Sequence, residues 1–152
     1  MGLDMYVYAT SKKNLVSDEL NPVIRLKKNS KEEEVFYWRK HPALHGWMYN
    51  KYLDKLKENE ISPSEDDLDF NGPCLRLNES DLDELENDLN DFNLPWDTTG
   101  FFFGSDNPQS LDMDKEEKEK YFKQIIENDL EFVSKSRTFL KKGFIVLYHA
   151  SY

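Results

Sequence analysis

Chemistry-bearing side chains are concentrated between residues 34 and 49, in EVFYWRKHPALHGWMY. Two Trp, two His, two Tyr, an Arg and a Glu fall within those sixteen residues. Read as a helix, at roughly 100° per residue, Glu34, Trp38, His41, His45, Met48 and Tyr52 share one face. A carboxylate and two imidazoles would then lie in a largely apolar stripe, where buried groups need partners and acquire shifted pKa values. In the functional reading, Trp38 or Tyr37 stacks a planar ligand, Arg39 holds an anionic group, and Glu34 and His45 supply polar contacts or acid–base chemistry. In the bland reading the aromatics are ordinary core, with Glu34 paired to Arg39 or a nearby Lys and His45 satisfied by backbone. A protein–protein surface is the third alternative.

A second unusual stretch is GFFFGS (100–105). Three consecutive Phe cannot all face one side of a strand, and the flanking glycines allow a tight turn or a close approach. Phe102 would form a pocket wall, with the Gly104 and Ser105 amides facing a ligand. The alternative is a central strand covered on both faces. No GK[ST] follows and no G-x-G-x-x-G occurs, so a phosphate loop is not indicated.

Several activities are disfavoured. Only His149-Ala150-Ser151 has the histidine–X–hydroxyl form, whereas a two-histidine phosphodiesterase needs a pair. His41 and His45 stand four apart, but HPALH lacks the glutamate of a helical zinc motif. No G-x-S-x-G is present, and the lone Cys74 allows neither an internal disulfide nor a thiolate zinc site. We therefore expect no metal, no cofactor and no assigned catalytic residue. An enzyme using Glu34 and His45 remains an alternative.

These side chains must be held by the elements around them. LDMYVYAT (3–10) alternates as a strand with one wet face. Residues 11–22 read as a loop, and VIRLKK (23–28) as a short edge strand. Ser30 followed by KEEE predicts a helix start, running through EVFYWRK to about Asn59, with Pro42 causing a kink or separating two helices near His41. PCLRLN (73–78) reads as a strand. Ser80 with Asp83 suggests a capping box, followed by a helix burying Leu82, Leu85, Leu89 and Phe92. A long helix over roughly 113–136 buries Tyr121, Ile125 and Phe132. Gly143 ends the next connection, and FIVLYHAS (144–151) is a terminal strand. The pattern predicts a single α+β domain over 1–152: a small, mainly antiparallel sheet with the N- and C-terminal strands adjacent, and helices on one face.

The chain has 152 residues and a formal charge of −10. Its acidity sits in residues 65–91, where eleven Asp and Glu face one Arg, Arg76. A basic face for nucleic acid is not visible, so direct nucleic-acid binding is not expected. The acidic segment 65–91, through its helix over 79–92, would alternatively occupy the basic groove of a host nucleic-acid-binding protein, or merely keep the surface solvated. The short apolar runs exclude a membrane-spanning helix, and MGLDMYVYAT does not read as a signal peptide, which places the chain in the cytoplasm.

MGLDMY, EVxYWRK (34–40), LHxW (44–47) and TGFFFGS (99–105), in this order, resemble a family of small phage and prophage proteins. The resemblance implies a phage or prophage origin, hence a host-cell cytoplasm. It picks out Glu34, Tyr37, Trp38, Arg39, Lys40, His45, Trp47 and 101–105 as the shared set. By analogy it implies an accessory protein acting against host defence, for instance by sequestering a signalling nucleotide. The chain departs from the family at His41-Pro42, where the family has no proline. The ligand-binding set is accordingly Glu34, Tyr37, Trp38, Arg39, His45, Trp47, Phe102, Gly104 and Ser105, and the ligand small and anionic or nucleotide-like.

Overall fold

A computed structural model describes residues 3–14, 23–24, 32–65, 68, 70, 74–95 and 114–151. In chain order the elements are β1 (Asp4–Thr10), a 3-10 turn (Lys12–Asn14), β2 (Val23–Ile24), β3 (Glu33–Arg39), α1 (Pro42–Glu58), β4 (Cys74–Leu77), α2 (Glu79–Asn90), α3 (Lys115–Lys141) and β5 (Ile145–Ser151). The strands form one antiparallel sheet in the order β2-β4-β5-β1-β3. The two terminal strands are neighbours, with Val7 opposite Tyr148, and the helices pack on one face, as the apolar strength of both strands predicts.

Alternation decides which face each residue takes. Met5, Val7, Ala9, Leu75, Leu77, Val146, Tyr148 and Ala150 are buried under the helices. Against them lie Leu44, Met48, Tyr52 and Leu56 of α1, Leu82, Leu85 and Leu89 of α2, and Phe132 and Val133 of α3. Each such large side chain contributes about 1.5–3 kcal/mol by leaving water. On the other face stand Tyr6, Tyr8, Tyr37 and His149, whose rings neighbour one another, and a small buried pair, Ile145 and Leu147.

The expected helix through EVFYWRK is corrected: residues 33–39 are strand β3. Val35, Phe36, Tyr37 and Trp38 are β-branched or aromatic, types that fit a pleated surface better than a helix. Pro42 also disfavours helical backbone at His41, which has φ −114° and ψ 73°. Lys40, with φ 58°, turns the chain. Pro42 is then the first residue of α1, where its missing N–H is not needed. It starts a helix rather than kinking one. Opposite Val7 and Tyr8, β3 carries a bulge that inserts Val35 between Phe36 and Glu34.

Three smaller expectations also shift. The capping box lies two residues earlier: Asn78 accepts the Asp81 N–H at 2.9 Å, and Asp81 accepts the Asn78 N–H at 2.9 Å. Phe92 falls beyond the end of α2, has φ 54° and stays 42 % exposed. In the first turns of α3 Phe122 is buried, while Tyr121 faces outward. The expected Gly143 turn is present with φ +87°, a region only glycine adopts without strain.

Candidate functional site

Between the end of β3 and the middle of α3 lies a cleft of about 350 Å³. Tyr37, Trp38, Arg39, Lys40 and His41 form one wall, and Tyr121, Ile125, Asn128 and Asp129 the other. Its floor is a buried network. Asp129 is fully buried; its Oδ1 accepts the Trp38 Nε1–H at 3.0 Å, and its Oδ2 lies 2.7 Å from His41 Nε2. With both carboxylate oxygens acting as acceptors, Nε2 must carry the hydrogen, so the lone pair of a neutral His41 sits on Nδ1. The network ties α3 to the junction of β3 and α1.

Two cations border the cleft above this floor. Arg39 and Lys40 are exposed, and neither enters an ion pair among the described residues. α1 begins immediately after His41 with no acid in its first turn, but its residues 42–45 are buried and do not line the cleft. Tyr121 is 37 % exposed at the rim, while the Tyr37 ring, 44 % exposed, lies on the helix-free face against Tyr6. The Tyr37 hydroxyl donates to Asp4 Oδ1 at 2.7 Å, a bond that raises its pKa above the ordinary tyrosine value.

The residues singled out in the sequence do not all converge. Tyr37, Trp38 and Arg39 reach this cleft. Glu34 does not share a face with Trp38 and His45, because a strand replaces the helix that put them together; it stands opposite Tyr8 on the helix-free face. His45 is fully buried one turn into α1, its Nδ1 2.6 Å from the Tyr148 hydroxyl and its ring stacked on Phe70. Desolvation pushes its pKa down to about 3, so it stays neutral. A Glu34–His45 acid–base pair is therefore not assembled. Trp47 serves another contact, donating its Nε1–H to Asp88 at 2.8 Å and joining α1 to α2. Phe102, Gly104 and Ser105 lie outside the described residues.

Sequence reasoning gave no pocket role to Tyr121, Asn128 or Asp129; it grouped His41 with the apolar stripe and Lys40 with the motif set, and placed neither in the ligand-binding set. A signal existed for one: Asp129 lies four residues after Ile125 and three before Phe132, on the apolar face of a long helix. A carboxylate there demands a buried donor.

The acidic helix is largely engaged within the fold. All six carboxylates of α2 have partners. Arg137 of α3 holds Glu79, Asp83 and Glu86, with its own pKa raised further by those hydrogen bonds. Lys55 holds Asp81 and Lys51 holds Glu84, while Asp88 accepts from Trp47. A larger groove of about 740 Å³, near Phe92, Phe122 and Ile126, is lined by surface residues of both signs and by apolar rings; the smaller cleft holds the convergent chemistry. Among the described residues no group of three His, Cys, Asp or Glu could hold a metal, and no helix is long and apolar enough to cross a membrane. No family model, no curated protein and no solved structure matches the chain, so function must be read from the chemistry of this cleft.

Proposed function

We propose that this chain is a binding protein for a small anionic ligand with a planar part, such as a nucleotide, and that the ligand sits in the cleft between β3 and α3. One observation carries the reading: Arg39 and Lys40 border the cleft, are exposed and form no ion pair among the described residues, in a chain whose net charge is −10. Arg39 presents a planar fork suited to a phosphate or carboxylate, and Lys40 a point charge beside it. Tyr121 offers an exposed aromatic edge at the rim, and the Asn128 amide a donor and an acceptor. The Trp38–Asp129–His41 network keeps the wall rigid, which lowers the ordering cost of binding. The motif resemblance supports placing this binding in a phage or prophage accessory role. The acid–base alternative finds no support in the placement of Glu34 and His45.

The test is a thermal-shift and calorimetric screen against adenosine and guanosine monophosphates, cyclic dinucleotides and inorganic phosphate. A nucleotide should stabilise the wild type, and Lys40→Ala or Arg39→Ala should abolish the effect while leaving the fold intact. No shift with any anion, or a shift unchanged in both variants, would reject the reading.

A further inference from the structure

β3 is the last strand of the sheet, and among the described residues nothing pairs with its outer edge. The ladder fixes which backbone groups that edge presents. The Lys40 N–H donates to the Leu3 carbonyl at 2.8 Å. By antiparallel alternation Trp38 and Phe36 also turn their main-chain groups to β1, so Tyr37 and Arg39 turn theirs outward. The bulge at Val35 shifts this alternation by one, which makes Glu34 the third outward-facing residue. Side chains follow the same parity: Glu34, Tyr37 and Arg39 stand opposite Tyr8, Tyr6 and Asp4, on the helix-free face, and all three are exposed. Without the bulge, Glu34 and Arg39 would point to opposite faces.

We propose that this edge is the interface of a two-fold dimer, in which β3 of a second copy lies antiparallel against it and continues the sheet. One register satisfies every outward residue. Tyr37 pairs with its own copy on the axis, and on each side Glu34 pairs with Arg39 of the second copy. Each pair exchanges two main-chain hydrogen bonds, and each flank adds a cross-strand pair of opposite charge. Charge on an edge strand ordinarily blocks pairing. Here the two signs are segregated at the two ends of one strand, so a parallel neighbour meets like charges and an antiparallel copy meets opposite ones. That is the self-complementarity a two-fold interface requires.

Native mass spectrometry and sedimentation velocity on the wild type should give twice the monomer mass. Glu34→Arg and Arg39→Glu should each weaken association about tenfold or more, with far-UV circular dichroism unchanged. A one-to-one mixture of the two variants should reassociate, because both flanks again pair opposite charges. A wild type that is monomeric throughout, a dimer that survives both substitutions, or a mixture that stays monomeric would overturn the proposal. Glu34 lies outside the cleft, so Glu34→Arg separates loss of the dimer from loss of ligand, which Lys40→Ala reports.

Discussion

Asp129 is the residue on which the geometry of the cleft depends, and replacing it has a calculable cost. Asp129→Ala leaves two buried donors, Trp38 Nε1–H and His41 Nε2–H, facing a space with no acceptor. An unsatisfied buried polar group costs about 1–3 kcal/mol, and breaking one partner out of a buried charged network about 3–5 kcal/mol. The expected loss is therefore about 3–5 kcal/mol, a large part of the roughly 5–15 kcal/mol that holds a domain of this size. Asp129→Asn should cost less, since its oxygen still accepts from Trp38, while its NH₂ group faces the donor of His41. Urea unfolding at pH 7, followed by circular dichroism, measures both. A double-mutant cycle with Trp38→Phe should show coupling of about 1 kcal/mol or more. If Asp129→Ala loses less than about 1 kcal/mol with an unchanged urea slope, the network does not hold α3 to β3 as described.

Two other expectations concern buried and strained groups. The unfolded His45 binds a proton below about pH 6.5, whereas the folded residue does so only near 3, so the unfolded state holds more protons between those values. Stability contributed by this residue should fall as pH falls, by about 2 kcal/mol from pH 7 to pH 5, and His45→Phe should remove that slope; an unchanged slope would contradict the burial of His45. At Lys40, φ 58° strains any side chain with a Cβ. Lys40→Gly should be more stable than Lys40→Ala by about 1 kcal/mol, although both lose the anion; thermal melts in the reverse order would refute the turn.

β1, β4, β5 and two of the helices are legible because their patterns admit one reading. β1 and β5 alternate cleanly and carry the most apolar residues, so their pairing follows from burial. The spacing of Leu82, Leu85 and Leu89 fixes the face of α2. β3 was misread because Glu32, Glu33 and Glu34 imitate the acidic first turn of a helix, and Ser30 imitates its cap. The decisive facts were the run of Val35 to Trp38 and the proline at 42, whose weight against a helix exceeded that of the cap. That misreading had a consequence for the site. Alternation sends Trp38 inward and Arg39 outward, whereas a helical wheel groups Trp38 with Glu34 and His45. The wall of the cleft was still found, since Tyr37, Trp38 and Arg39 are consecutive under either geometry. Its other wall lies some ninety residues later on α3, and no local pattern joins Asp129 to Trp38.

The central claim is that the cleft beside Arg39 and Lys40 takes an anion, and calorimetric titration tests it most directly. Nucleoside monophosphates and cyclic dinucleotides should be titrated into the wild type and into Lys40→Ala, with the salt concentration fixed. Saturable binding by the wild type, weakened about tenfold or more in Lys40→Ala, is expected. Absence of binding by the wild type, or equal affinity in Lys40→Ala, would contradict it.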